Sequence, residues 1–447
     1  MPTIDVTSHG AVGDGVTNDA AAIQSAIDAA AETGGGRVVV PAGHTFRSGS
    51  ITLRSHVDLH VERGATLQAS GQWQDITVRR VTSALAGGVV QPGTVANGVF
   101  IWADGATGIS ITGGGTIDGG GRSYVAEDLG PIFRMPHERP FTVFLRGCTD
   151  VTLRDTTYVD GALWTVRLTG CEVVRITGLT IRGDMKVPNA DGIDIDRCRR
   201  VRISDCDIRT PDDAISLKAV DEFAASGVCE DVVITGCILE SRSSAIVLGA
   251  DAVAPIRNVV VSGCVIRASH RGISLKCSQR GVFENVLCTD LVIETTTFAE
   301  PWWGRGEPIH VGVFPWFDEV GAVRNVRFRN ILARSENGVN IAAVEPGLID
   351  GVVLENVRIE LDKWSDEEGG LFDRRPYSGT PDLYPHPVSG FYIENAANVV
   401  VRDCQVAWGT HQPYFAHALE AVAAPGLVVD GLRGEAAVPG IEAIAIS

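Results

Sequence analysis

Three aspartates of this chain stand in two short motifs, Asn189-Ala-Asp191 and Asp212-Asp213. Each motif runs into alternating apolar residues, the pattern of a β-strand, and the motifs lie about one coil of a stacked fold apart. Stacking would therefore bring the three carboxylates together. Because clustered carboxylates repel one another and lose hydration, a fold rarely keeps them without a chemical or ligand-binding reason. Paired carboxylates are the groups that cleave glycosidic bonds, so the motifs predict sugar cleavage.

Self-similarity along the chain predicts the elements that position these motifs. A short phrase ending in Asp-Val, Asn-Val or a variant recurs in steps of mostly about 23 to 31 residues. The aligned valines are Val151, Val174, Val201, Val232, Val259, Val286, Val326 and Val399. Two longer steps, before Val326 and before Val399, each contain an inserted loop. Each unit is too short to bury a core alone, so the repeat predicts an all-β fold, a right-handed single-stranded parallel β-helix.

A helix is predicted to cap the exposed end of this solenoid. It would run from about Asn18 to Glu32, with Asn18 or Asp19 at its N-cap and with Ile23 and Ile27 as its apolar stripe. The whole chain, 1–447, is predicted to be one domain. The cap and first coils would take about residues 1–70, and the remaining coils with their inserted loops about residues 100–447.

Composition narrows the classes of partner and compartment. A formal net charge of -17 argues against nucleic acid and anionic membranes as partners. The start, Met1-Pro-Thr-Ile-Asp-Val, lacks the pattern of a secretory signal. We therefore expect a cytoplasmic protein, with a secreted protein that has lost its signal peptide as the alternative. Four of the ten cysteines stand three residues before a repeat valine, which predicts stacked, buried, reduced thiols and no zinc site.

One strand register can be followed through the chain from Ile193 to Val311. Residues at the matching positions just before each strand are Asp191, Asp212, Asp213, Ser243, Ser244, His270, Arg271 and Glu307. Side chains predicted to point outward from the strands include Asp194, Asp196, Lys218, Ser274, Lys276 and His310. Asp194 and Asp196 are expected on a solvated outer face. Acids on adjacent rungs and bases on later rungs would face one groove, a surface that solenoids use for extended polymers.

On these motifs the sequence resembles glycoside hydrolase family 28, the polygalacturonases and rhamnogalacturonan hydrolases of the pectinase-type β-helix superfamily. His9–Asp19 and Gly113–Gly119 match further stretches of many members, and the resemblance covers essentially the whole chain. It implies Asp212 as the general acid. It implies that Asp191 and Asp213 hold and activate the attacking water, with inversion at the anomeric carbon and with no cofactor or metal. Inversion would ask for about 6.5–9.5 Å between acid and base.

Two departures from the family's pattern bear on the substrate. Ser243-Ser244-Ala245 stands where the family has Gly-His-Gly, and Ser274 stands where it has the arginine of an Arg-x-Lys pair that grips a carboxylate. Lys276, the lysine of that pair, remains. His270 and Arg271 are predicted to replace the missing groups in part. Loss of a bidentate clamp weakens recognition of a carboxylate, so a neutral or differently charged sugar stays open beside a uronate.

Further substrate-binding residues are predicted on the same face. Trp302 and Trp303 lie in a loop that feeds this face, where aromatic rings would stack on sugars; packing of the loop against the coil is the alternative. Asn189, Glu307 and His310 are the remaining candidates for binding the substrate.

Together these features predict a glycoside hydrolase that acts on a pectin-like or related plant-type oligosaccharide or polysaccharide. Inserted loops at about 80–100, 119–140, 299–320 and 362–390 are expected to close one end of the groove, which favours exo-action. One rival is a polysaccharide lyase of the same superfamily, which needs a strong base and often calcium. A second rival is a non-catalytic, carbohydrate-binding β-helix. The sugar, its linkage and the oligomeric state stay open.

Overall fold

A computed structural model describes residues 2–79, 98–316 and 319–447 of the chain. Its residues form two compact units. Unit 1 comprises residues 1–212 and 225–227, and unit 2 comprises residues 213–224 and 228–447. The prediction of a single domain stays a prediction. Most of the loop expected at about 80–100 lies outside the described residues.

Unit 1 consists mainly of short strands. The strands that wrap its coils are Thr3–Asp5, Asp14–Asn18, Gly36–Val40, Thr45–Ser48, Val57–Val61, Thr66–Ala69, Thr107–Thr112, Thr116–Asp118, Thr149–Arg154, Thr157–Val159, Glu172–Thr177, Thr180–Arg182, Arg199–Ser204 and Asp207–Thr210. A second sheet contains the strands that follow the acid motifs, and we call it the site sheet. Its strands in unit 1 are Ile51–Thr52, Thr77–Val78, Gly98–Asp104, Phe141–Arg146, Val166–Thr169 and Ile193–Asp196. A small hairpin is formed by Glu127–Asp128 and Phe133–Arg134.

Unit 2 repeats this arrangement. The strands that wrap its coils are Cys229–Thr235, Ile238–Ser241, Ile256–Ser262, Val265–Ser269, Val282–Thr295, Ala322–Ser335, Ile349–Leu361, Ala396–Ala397, Val400–Arg402, Gln405–Trp408 and Val428–Asp430. The strands of its site sheet are Ile215–Ala219, Ser244–Ala252, Arg271–Cys277, Glu307–Val313, Val339–Ala343, Phe391–Glu394, Leu419–Val422 and Ile444–Ile446. A separate antiparallel hairpin is formed by Leu371–Asp373 and Leu383–Pro385.

The strand pairing is that of a parallel β-helix. In unit 2 each strand of the site sheet pairs in parallel with the corresponding strand of the next coil. Ile246 pairs with Ile215 and with Ile273, and Ile273 pairs with Ile309, so the predicted register is confirmed there. The prediction of an all-β parallel β-helix is confirmed.

The recurring phrase owes its composition to a corner of the coil. The residue before each repeat valine has a positive φ, for example +57° at Asn258 and +58° at Asn285, and the valines themselves are buried. Asn and Asp tolerate this left-handed conformation better than most residues. The side-chain amides of the asparagines also stack from coil to coil. Asn285 Nδ2 donates to Asn258 Oδ1 at 3.2 Å, and Asn325 Nδ2 donates to Asn285 Oδ1 at 2.7 Å.

One coil lacks the recurring phrase and was not predicted from the sequence. The long step before Val399 contains not only an inserted loop but also the strand Ile349–Leu361, in which Val352 pairs with Val326. There Gly351 takes the corner conformation, with φ of +72°. Glycine adopts a positive φ at no steric cost, so the coil turns without the Asn-Val signature.

The predicted cap is present as a helix over Ala20–Glu32 with Asp19 at its N-cap. Ile23 and Ile27 are fully buried, which confirms the apolar stripe. Asp19 does not cap the helix with its side chain, because its carboxylate accepts hydrogen bonds from the Val12 and Gly13 amides instead. Asn18 Oδ1 accepts from the Ala20 amide at 3.1 Å. Within the described ranges, no helix is long and apolar enough to span a membrane.

All ten cysteines are buried and free, as predicted. Several thiols stack from coil to coil, and the Cys171 amide lies 3.3 Å from Cys198 Sγ. Burial raises the pKa of the Cys277 thiol to about 12, so this side chain packs as a small neutral group.

Candidate active site

The three predicted acids come together. Asp191, Asp212 and Asp213 each offer one carboxylate oxygen, and these oxygens lie within 4.8 Å of one another. Asp191 and Asp213 are buried and Asp212 is half-buried. The limit of 4.8 Å applies to one oxygen of each side chain, so the separation of about 6.5–9.5 Å between acid and base stays a prediction. Oxygens at this spacing also suit a hard cation, so the absence of a metal stays a prediction.

Asn189 and Arg139 lie beside the first two acids. Asn189 adopts φ of +57°, and its backbone N–H donates to Asp212 Oδ2 at 3.1 Å. Arg139 Nη2 donates to Asn189 Oδ1 at 2.9 Å, while Arg139 Nη1 donates to the carbonyl oxygens of Ala162 and Pro188. Asn189 thus contacts Asp212 through its backbone N–H and Arg139 through its side chain, and its contact with substrate stays a prediction.

Arg139 is a buried cation that faces two of the acids. Burial lowers the pKa of Arg139 to about 10, against the opposing charges of Asp191 and Asp212. The guanidinium therefore stays charged at neutral pH and offsets part of the negative charge of the cluster. Arg139 could not be recognised from the sequence, because a single arginine inside a predicted loop carries no spacing signal.

Asp213 is held by the residues that stand at the Gly-His-Gly position. Ser243 Oγ donates to Asp213 Oδ1 at 2.8 Å, and the Ser244 amide donates to the same oxygen at 3.0 Å. Both serines are buried. Two donors on one oxygen fix the orientation of the carboxylate, so the serines have a positioning role that the sequence analysis did not foresee.

The expectation of a solvated outer face at Asp194 and Asp196 is wrong. Both side chains are fully buried. Asp196 Oδ2 accepts from Arg167 Nη2 at 3.2 Å and from Thr169 Oγ1 at 3.0 Å. The Arg167 guanidinium in turn lies 4.6 Å from the ring centre of Trp164. Strand alternation gives the direction of a side chain but not what covers it, and here aromatic rings and a buried ion pair cover the outward face.

His270 is also placed differently from its predicted role. Its ring is fully buried, Nδ1 lies 3.2 Å from the Arg242 carbonyl oxygen, and Nε2 accepts from the Phe298 amide at 3.3 Å. Burial, together with the neighbouring Arg271 charge, holds the pKa of His270 well below its ordinary value. The ring is thus a neutral link between backbone segments, and this geometry does not favour the predicted contact with substrate.

Arg271 and Glu307 form a buried ion pair. Arg271 Nε and Nη2 donate to the two Glu307 carboxylate oxygens at 3.2 and 3.3 Å, and both side chains are inaccessible to solvent. The Arg305 amide also donates to Glu307 at 2.8 Å. These contacts give both side chains a structural role. Substrate binding by either of them stays a prediction.

Lys276, Trp303 and His310 contact neighbouring aromatic and polar side chains. The Lys276 ammonium lies 5.2 Å from the Trp303 ring centre, and Trp303 meets Trp316 edge to face at 6.4 Å. Trp303 is half-buried, whereas Trp302 is buried, so packing explains Trp302. His310 Nδ1 lies 3.1 Å from Ser274 Oγ, and burial keeps the pKa of His310 well below its ordinary value. The substrate contacts of these residues stay predictions.

The arrangement has the parts of an acid–base site. Three carboxylates share one small volume, a buried arginine faces two of them, and serine donors orient the third. A carboxyl group close to a second carboxylate can donate a proton to a leaving oxygen while its neighbour activates water.

Comparison with known proteins agrees with this chemistry. A family model described as Glycosyl hydrolases family 28 matches residues 35–293, more than half of the chain. A protein named "Probable polygalacturonase" from Vitis vinifera is 31% identical over 221 residues, which make up 48% of this chain and 44% of that protein. The chain thus spans less than half the length of that relative.

Two solved structures resemble the fold. An exopolygalacturonase from Thermotoga maritima has a TM-score of 0.62 and 19% identity, covering 96% of this chain and 92% of that chain. A family 28 exopolygalacturonase from Yersinia enterocolitica has a TM-score of 0.64 and 17% identity, covering 97% of this chain and 77% of that chain. At such identities the likeness establishes the β-helix fold alone.

Proposed function

The chain belongs to glycosyl hydrolases family 28, and from this premise we propose that it hydrolyses a glycosidic bond in a pectin-like or related plant-type oligosaccharide. The observation that carries the proposal is the cluster of Asp191, Asp212 and Asp213 oxygens within 4.8 Å. Matched motifs alone would not require the carboxylates to meet. Their proximity supplies both an acid and a site for the attacking water.

The spacing of the oxygens fits a shared water molecule. Two oxygens that each accept a hydrogen bond of about 2.8 Å from one water, at a tetrahedral angle, lie about 4.6 Å apart. The limit of 4.8 Å therefore suits a water held between Asp191 and Asp213. Attack by that water, on the side of the sugar away from the leaving group, inverts the anomeric carbon. Direct attack by a carboxylate, with retention, is the competing outcome.

Asp212 is the best placed of the three to act as general acid. It is half-buried, whereas Asp191 and Asp213 are buried, so Asp212 is the more accessible to a leaving-group oxygen. The Asn189 amide holds Asp212 Oδ2 at 3.1 Å. A general acid must lie within hydrogen-bond reach of the oxygen that it protonates, and accessibility combined with a fixed oxygen meets this need.

The 371–385 hairpin, made of Leu371–Asp373, Leu383–Pro385 and their connection, supports action at chain ends. It lies on the outward face of the unit 2 site sheet, where Phe372 packs on Tyr392 with ring centres 4.7 Å apart. Ala342 and Tyr392 occupy outward strand positions and are nevertheless buried. A polymer that followed this face past Val339–Ala343 would meet the hairpin.

The distance along this face from Asp213 to the hairpin is short. From Ile215–Ala219 to Glu307–Val313 there are three strand steps, or about 14 Å at about 4.8 Å per step. The covered strand Val339–Ala343 comes next. A stretch of this length holds a few sugar residues and no more, which supports exo-action.

The proposal is tested with a panel of pectic and non-pectic oligosaccharides and polymers, followed by chromatography of the products. We expect release of small products from the start of the reaction, with little loss of polymer viscosity. Products that carry a ring double bond would identify a lyase instead, and binding without turnover across the panel would identify a carbohydrate-binding protein.

The cytoplasmic location is a further proposal, to be tested by fractionation of cells that express the untagged chain.

A further inference from the structure

A network of buried charges joins the 371–385 hairpin to the rest of unit 2. Arg271 Nη2, besides its bond to Glu307, donates to the Asp373 carbonyl oxygen at 2.6 Å. The Asp373 carboxylate is inaccessible to solvent and pairs with Arg375 at 2.9 Å. One side of the hairpin therefore rests on the same arginine that pairs with Glu307 at the start of Glu307–Val313.

The same carboxylate reaches the tryptophan loop, residues 296–306. Asp373 Oδ2 accepts from the Gly304 amide at 2.7 Å, and Asp373 Oδ1 accepts from the Arg375 amide and Nε at 2.9 and 3.0 Å. Arg375 continues to the Trp302 carbonyl oxygen and to Glu300. Asp373 thus holds two insertions, the hairpin and the tryptophan loop, against one another.

Charge compensation explains how a carboxylate can lie so deep. Burial by itself would favour the protonated form of Asp373, but Arg271 and Arg375 together hold its pKa well below the ordinary value. The Asp373 carboxylate is paired and hydrogen-bonded on both oxygens. Loss of any one partner would cost free energy, because it would leave a buried charge unsatisfied.

Both insertions act on the outward face of the site sheet. The tryptophan loop carries Trp303, which lies over Lys276, and the hairpin carries Phe372, which lies over Tyr392. The hairpin is also anchored by Arg374, whose guanidinium lies 4.6 Å from the Phe314 ring centre. The aromatic contacts place the hairpin over the sheet, whereas the Asp373 contacts tie it to the loop beside Lys276.

We propose that Asp373 is a specificity-determining residue, a latch whose carboxylate keeps the 371–385 hairpin closed against the tryptophan loop and so confines cleavage to the ends of the substrate. The inference rests on the proposed exo-action of the same site. Asp373 acts through the hairpin and is a positioning residue, not a catalytic one.

The test compares the wild type with Asp373→Asn. Asparagine keeps the size of the side chain but removes the negative charge that faces Arg271 and Arg375. Its NH2 group is a hydrogen-bond donor, and it would face the N–H donors of Gly304 and Arg375. The matched control is Asp366→Asn, the same change at an exposed aspartate of the same insertion. Amide hydrogen exchange measured by mass spectrometry reports directly on the closure of residues 371–385, whatever the substrate.

We expect Asp373→Asn to speed exchange in residues 371–385 by about tenfold or more. The amide nitrogen cannot accept the two hydrogen bonds that either carboxylate oxygen accepts, and the loss of even one hydrogen bond to a charged group shifts an open–closed equilibrium about tenfold. For each bond that it cleaves, the same variant is expected to lower the viscosity of a polygalacturonate solution, or of the polymer that the wild type cleaves, more than the wild type does. Asp366→Asn should match the wild type in both measurements.

The outcomes separate the latch from the exo-action on which it rests. Unchanged exchange in Asp373→Asn would overturn the latch. Faster exchange with unchanged product lengths would overturn its role in specificity, and random cleavage by the wild type would overturn the exo-action itself. Should Asp373→Asn fail to fold, Arg375→Gln removes a partner at the edge of the network and must shift exchange and products in the same direction for the latch to stand.

Discussion

Replacement of Ser243 by alanine is a sharp probe of the acid cluster. Ser243→Ala removes the 2.8 Å hydrogen bond to Asp213 Oδ1 and leaves the 3.0 Å bond from the Ser244 amide in place. A hydrogen bond to a charged group contributes about 1.5–3 kcal/mol. Because the second donor remains, we take the lower part of this range, and each 1.36 kcal/mol in the barrier changes a rate about tenfold.

We therefore expect kcat of Ser243→Ala to fall about tenfold with little change in KM, because the serine orients a carboxylate and does not touch the sugar. The assay is initial-rate kinetics on the best oligosaccharide of the panel, with thermal unfolding as a check on the fold. The control is Ser262→Ala, which removes the 3.2 Å hydrogen bond to Thr235 on a strand outside the site sheet. Equal kcat values for Ser243→Ala, Ser262→Ala and the wild type would refute the positioning role.

Three further predictions follow from the charges around the site. Arg139→Met should lower activity by about a hundredfold or more and also lower Tm, because it leaves buried carboxylates facing each other without their cation; Arg139→Lys should retain part of both, as measured by kinetics and calorimetry. The depressed pKa of Asp373 means that its contribution to stability is present above its unfolded pKa of about 3.9 and is lost as pH falls toward its folded value. The Tm difference between wild type and Asp373→Asn should therefore shrink on acidification, and a difference that grows below about pH 4 would contradict this sign. Dialysis against EDTA should leave kcat unchanged, and restoration of a lost activity by calcium would show that the acid cluster binds a cation.

Much of the fold could be predicted because the coil repeats its physical requirements. Each corner needs a residue that tolerates positive φ and each rung needs a buried valine, so Asn-Val and Asp-Val recur and reveal the step length. The coil at Gly351 escaped detection because glycine meets the corner requirement equally well and removes the signature. The acid cluster was predictable for the same reason, since strand register places Asp191 beside the next motif.

The contacts that could not be predicted from the sequence join distant segments of the chain. The strand register predicts His270 and Arg271 as substrate ligands, but it does not show which segments pack against them. Their partners, Phe298 and Asp373, lie 28 and 102 positions away in the chain, inside insertions that have no repeat. Arg139 is hidden in the same way, because its role arises only when its loop folds back on Asn189.

The three aspartates are proposed to hydrolyse a glycosidic bond through a bound water. Proton NMR of the first product formed, recorded before mutarotation, tests this proposal most directly with the wild type beside Asp212→Asn. We expect a first product of inverted anomeric configuration that is absent with Asp212→Asn, while the variant still binds the substrate. A product of retained configuration, or an equal rate with Asp212→Asn, would contradict it.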